Sequence, residues 1–120
     1  MSQQNVIKSK SDLINLARRI LRNVECVKRE ESDAVSSSFV RKVLEISQKV
    51  DSIEEFKLYV GYFVSKNAKS PDSGLYTFQH NLENALKQIK YDLNTLRTLI
   101  EYVVMLHTIK AKEEEYSGWW

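Results

Sequence analysis

The sequence predicts an all-α, single-domain bundle of about five helices. Three observations carry that expectation. The chain has 120 residues, three glycines and one proline, so chain-breaking residues are scarce and connections should be short. Apolar residues recur at helical spacing in five separate stretches. Serine or aspartate stands where most of these stretches begin, as helix N-caps require.

Residues 1–10 are polar and are expected to form a flexible N-terminus, with the bundle over residues 11–112 and a tail over 113–120. The first helix is expected over residues 11–28, capped by Ser11 or Asp12. Its apolar set is Leu13, Ile14, Leu16, Ala17, Ile20, Leu21, Val24 and Val27. On that helix Arg18, Arg22 and Arg29 fall within about 40° of one another. They make a basic ridge, which is either a solvated surface or an anion-binding one. A charged connection leads from Lys28 to Ser36.

The second helix follows Ser36-Ser37-Ser38, any of which can cap it. Phe39, Val43, Ile46 and Val50 form its apolar stripe, widened by Val40 and Leu44. Arg41, Lys42 and Lys49 face the other way. Arg41 and Lys42 read as first-turn residues, where the helix dipole disfavours positive charge. Either they are solvated at small cost, or an anion near the helix N-terminus offsets the penalty. Val43 and Leu44 are expected to lock this helix to the fifth. Arg41 and Lys42 should point to solvent on the same side as Lys66.

Asp51 and Ser52 open a third helix, with Asp51…Glu54 and Ser52…Glu55 both at capping-box spacing. Ile53, Phe56, Val60, Phe63 and Val64 are its buried stripe, Tyr59 and Tyr62 border it, and Gly61 permits a close helix contact. Residues 66–74 form the clearest loop, with Lys66, Lys69, Pro71 and Gly74. A fourth helix runs over about 75–90 and buries Leu75, Phe78, Leu82, Ala85, Leu86 and Ile89. Asp92 caps a fifth, over about 93–112. Its apolar positions cover more than half its circumference, which marks it as the central helix. The final Trp119-Trp120 pair either hangs free or fills a groove on a partner.

Function classes narrow by exclusion. Net charge is +2, but residues 1–30 alone carry +4. The single cysteine, Cys26, excludes a disulfide framework and a multi-cysteine metal site. No apolar run approaches the ~20 residues of a membrane span, and the polar start predicts no secretory leader. The expectation is a cytoplasmic protein without membrane contact. His107 falls on the apolar face of the fifth helix and reads as a packed core residue; His80 lies on a polar face. No metal-ligand spacing, phosphate loop or nucleophile elbow is present. The chain is therefore expected not to be an enzyme, with no cofactor and no metal. The remaining candidates for a site are basic: Arg18, Arg22, Arg41, Lys42, Lys49, Lys66 and Lys69. If they converge they make a shallow patch that binds one nucleic-acid backbone without sequence preference. Repetition of the subunit along a strand would add affinity by multivalency.

Three stretches point to a family. Ser38-Phe39-Val40-Arg41-Lys42-Val43-Leu44 resembles the S-Q-I-R-K-F-L segment of the small subunit of type III-A (Csm-type) CRISPR effector complexes. Val60-Gly61-Tyr62-Phe63-Val64-Ser65-Lys66 resembles that family's L-A-Y-x-x-G-R. Glu101-Tyr102-Val103-Val104-Met105-Leu106-His107 resembles its E-A-x-V-A-Y-H. They occur in the family's order and bracket about residues 37–110. Phe39 stands where the family has a polar residue, Ser65-Lys66 where it has Gly-Arg, and Leu106 where it has tyrosine. The resemblance implies a non-catalytic helical subunit that contacts the guide RNA–target RNA backbone, the backbone subunits of the complex and other copies of itself. Arg41, Lys42 and Lys66 are the RNA contacts it implies. The alternatives are a small subunit of a related type III-B or type I-A complex, or a helical protein–protein adaptor without nucleic acid.

Overall fold

A computed structural model of the chain describes residues 9–31, 33–90 and 92–112. The elements are α1 (Lys10–Ile20), β1 (Cys26–Val27), β2 (Val35–Ser36), α2 (Ser37–Lys49), α3 (Ile53–Asn67), α4 (Gly74–Gln88) and α5 (Leu93–Ala111). This is a mostly helical bundle of five helices with one two-stranded parallel sheet, which pairs Cys26 with Val35 and Val27 with Ser36. Residues 1–8 of the expected flexible start and the tail, Trp119-Trp120 included, lie outside the described residues.

Local chemistry sets most helix starts. Ser36 Oγ accepts from the backbone N–H of Phe39, and Ser52 Oγ accepts from that of Glu55. Glu55 reaches back to accept from the N–H of Asp51, so the two residues satisfy donors on both sides of the α3 start. Asp92 caps α5. The first helix begins earlier than its sequence pattern suggests: Ser9, not Ser11 or Asp12, is the cap, accepting from the N–H of Asp12.

The first helix also ends early, at Ile20 rather than Lys28. Asn23 takes a φ of 60°, a left-handed conformation that asparagine tolerates and that stops a helix. The freed carbonyls find distant donors. Asn81 Nδ2 on α4 donates to the oxygens of Ile20 and Arg22, at 3.1 and 3.0 Å. Lys110 Nζ on α5 donates to that of Leu21 at 2.9 Å. The chain beyond then forms β1, inside the stretch expected to be helical, and β2, at the end of the expected charged connection. Arg22 and Arg29 therefore leave the helix, and the three-arginine ridge does not form.

Helices α2, α3 and α4 alternate in direction. Phe39 of α2 stacks on Phe63 of α3 with ring centroids 5.2 Å apart, and meets Phe78 of α4 edge-on at 5.3 Å. Lys57 near the start of α3 pairs with Glu83 late in α4, at 3.7 Å. Helix α5 packs against α1, α2 and β1. Its residues Leu96, Leu99, Ile100 and Val103 are wholly buried, in line with the central place its apolar pattern implies. Val43 on α2 is fully buried and Leu44 half-buried against the same core.

Three polar side chains of α5 hold its neighbours by their open backbone ends. Lys110 takes the end of α1. Arg97 donates from Nε to the oxygen of Ser47 and from a terminal nitrogen to that of Val50, both at 3.0 Å, which closes the end of α2. His107, with no exposed surface, bonds through Nε2 to the oxygen of Val35 at 2.7 Å. A carbonyl only accepts, so Nε2 carries the proton and Nδ1 is bare in the neutral ring. Nδ1 is buried without a partner. Burial holds the His107 pKa below its ordinary value; the Val35 bond opposes that shift, and the charge of Lys110 adds to it.

The two glycines at helix–helix and helix–loop contacts predict opposite outcomes. A Cβ on Gly74 would lie 2.5 Å from the oxygen of Asp33, which already accepts from the Gly74 N–H at 2.9 Å. Gly74→Ala should destabilise the fold by roughly 1–3 kcal/mol. A Cβ on Gly61 would meet only Gln79 Nε2 at an ordinary 3.5 Å, so Gly61→Ala should stabilise it by up to about 1 kcal/mol. Urea unfolding of the two variants reads both signs. His107 sets a pH dependence. The unfolded chain takes a proton at this residue near its ordinary pKa of 6.5 and the folded chain does so only at lower pH. The unfolded state then binds more protons, so His107's contribution is full above pH 6.5 and is lost as pH falls from there through the folded value. Unfolding free energies measured across this range should decline on acidification, and more shallowly in His107→Gln.

Candidate nucleic-acid interface

The exposed face of α2 carries a row of basic side chains. The buried residues Phe39, Val40, Val43 and Ile46 hold one side of this helix in the core, so Arg41, Lys42, Glu45, Gln48 and Lys49 are left exposed on the other. Glu45 lies between two of the cations: Lys42 Nζ is 3.2 Å and Lys49 Nζ 3.3 Å from its carboxylate oxygens. Hydrogen bonds from Lys42 and Lys49 hold the Glu45 carboxyl below its ordinary pKa. All these groups face water, where such pairs contribute little to stability. The row carries three positive charges and one negative. Arg41 has no ion-pair partner among the described residues.

The serine cap places this row differently from the sequence expectation. With Ser36 as N-cap, Ser37 and Ser38 are already helical, so Arg41 and Lys42 lie in the second turn and not the first. The dipole effect falls off within one turn. Their exposure therefore costs less than a first-turn position would, and an anion is not needed to explain them.

Lys66 and Lys69 stand at the other end of the region. Together with Ser36, Ser38 and Phe63 they line a cleft of about 360 Å³ between the start of α2, the end of α3 and the start of α4. Arg41 and Lys42 do not line it. Glu30, Glu31 and Asp33 do, so the cleft wall has one more negative charge than positive. The Lys66 ammonium sits over the ring of Tyr62, 5.2 Å from its centroid. Lys49, at the far end of α2, is about 20 Å from Ser36 by helical rise.

Arg18 and Arg22 belong to another region. Arg18 is half-buried and donates to Asn15 Oδ1 at 2.9 Å, with its Nε buried and unpartnered. Arg22 is exposed in the turn after α1, its own carbonyl held by Asn81. Neither shares an ion pair, hydrogen bond or cleft with the α2 row. The seven basic candidates thus fall into three groups: Arg41, Lys42 and Lys49 on α2; Lys66 and Lys69 at the cleft; Arg18 and Arg22 at the end of α1.

Other site chemistries have little here. Among the described residues, no three His, Cys, Asp or Glu side chains come together to hold a metal ion. No described helix is long and apolar enough to cross a membrane. The roles of Asn81, Arg97 and Lys110 were not visible in sequence, because their acceptors are backbone oxygens, which no side-chain pattern marks. The acids beside Lys66 and Lys69 were equally hidden, since the cleft brings together residues over 30 positions apart. A second surface is apolar: Leu58, Tyr62 and Tyr76 are exposed along an open groove between α3 and α4, floored by Gly61. Compared with known proteins, the chain matches no family model, no curated protein and no solved structure.

Proposed function

We propose that the chain is a non-catalytic, RNA-backbone-binding subunit of a larger ribonucleoprotein, of the kind that the small subunit of type III CRISPR effector complexes represents. Its partners would be guide and target RNA, the backbone subunits of the complex and further copies of itself. One observation carries this reading. Within Ser38–Leu44, one of the three stretches of family resemblance, Phe39, Val40 and Val43 are buried while Arg41 and Lys42 are exposed. The helix thus presents the two basic residues of that stretch and hides the apolar ones.

The chemistry available to such a row is phosphate contact. Lysine and arginine side chains on a helix surface neutralise backbone charge and release counterions, without reading base edges. Three cations make a weak site. Several copies along one strand would raise the affinity through effective concentration, with no new contact in any single copy. The exposed groove of Leu58, Tyr62 and Tyr76 supports a second reading, a helical adaptor that binds protein alone.

Titration of a single-stranded RNA against salt separates the two. The protein should bind with an affinity that falls steeply with salt, and Arg41→Ala with Lys42→Ala should weaken it about tenfold or more at low salt and flatten the log–log slope by about 1.5. Unchanged binding and slope in the double variant would sink the α2 assignment. Recovery from the native host without guide RNA and large effector subunits would favour the adaptor.

A further inference from the structure

The lining of the cleft at the start of α2 contains two lysines and three carboxylates. The backbone carbonyl of Asp33 accepts from the N–H of Gly74, the first residue of α4. The Ala34 N–H returns to the oxygen of Glu31 at 3.3 Å, and the Val35 N–H to that of Glu25 at 2.8 Å. The backbone at Asp33 is therefore tied to the start of α4. None of the three carboxylates forms an ion pair among the described residues. Of the two cations in the cleft lining, Lys66 is engaged over Tyr62 and Lys69 is a single charge.

From this geometry we infer that Glu30, Glu31 and Asp33 are specificity-determining residues that deny the cleft to phosphate and confine an RNA strand to the α2 row. The inference rests on the RNA-binding reading above. A phosphate entering beside Lys66 and Lys69 meets a wall of net negative charge. One lying along Arg41, Lys42 and Lys49 meets net positive charge. Like-charge juxtaposition is an effective way to set where a ligand does not go. Lys66 and Lys69, despite their basic character, then contribute little to RNA affinity in the native protein.

Four proteins and one single-stranded RNA, each titrated across a salt series, test this. They are the native chain, the neutralised variant (Glu30→Gln, Glu31→Gln and Asp33→Asn), the native chain with Lys66→Ala and Lys69→Ala, and both sets combined. Asparagine suits position 33, where φ is 69°. The neutralised variant should bind about fivefold tighter or more at low salt, with a slope steeper by roughly 0.7 to 1.5 as one or two phosphates enter the cleft. Removing the lysines should abolish that gain in the neutralised background, yet change native binding less than twofold. An unchanged slope on neutralisation would overturn the inference. So would an equal loss from the lysine substitutions in both backgrounds. The α2 double variant is read in a separate protein, so failure of the RNA-binding reading shows there and is not confused with failure at the cleft.

Discussion

The fold depends on how the backbone oxygens at the ends of its first two helices are satisfied. A helix leaves its last four carbonyls without intrahelical partners, and a buried carbonyl without a donor is costly. Here the donors are side chains of other helices. Arg97 closes α2, Lys110 and Asn81 close α1, and His107 takes the oxygen of Val35 just ahead of α2. Three of these four belong to α5. That helix is both the apolar centre of the bundle and the source of the polar groups that fix where its neighbours stop and start. Apolar burial alone would leave the register of α1 and α2 along α5 loosely defined; hydrogen bonds to particular oxygens do not.

What was legible in the sequence follows from range. The Ser52–Glu55 pair, the Ser36 cap and the stripe from Leu75 to Ile89 depend on residues within a few positions of one another, and the structure contains them. The end of α1 depends on Asn81 and Lys110, which lie 59 to 89 residues away from the carbonyls they take. No local pattern carries that information. The apolar positions Val24 and Val27 suit a helix or an extended segment equally, and the long-range donors, with Asn23, decide against the helix, so that Val27 enters β1 and Val24 is buried just ahead of it. The candidate site divides the same way. The exposure of Arg41 and Lys42 follows from the period of one helix, whereas the meeting of Lys66 and Lys69 with Glu30, Glu31 and Asp33 follows from tertiary folding alone.

Charge on this molecule is organised by position more than by amount. A formal net charge of +2 gives little long-range field. The α2 row concentrates cations, yet Glu45 draws Lys42 and Lys49 toward itself. A polyanion would have to compete with that carboxylate, and each exposed pair it breaks costs little.

The remote closure of α1 bears on how the chain is made. Helix α1 has eleven residues, too few to persist by itself in water. Its terminal carbonyls acquire their donors only when α4 and the last turn of α5 exist. Synthesis proceeds from the N-terminus, so the first helix emerges long before the groups that finish it. Helix α1 is thus translated ahead of the elements that complete it and settles after they do. Until α5 clears the ribosome, Leu13, Leu16, Ala17 and Ile20 have no completed core to enter, and a nascent chain stalled before Lys110 would keep that apolar stripe open to chaperones.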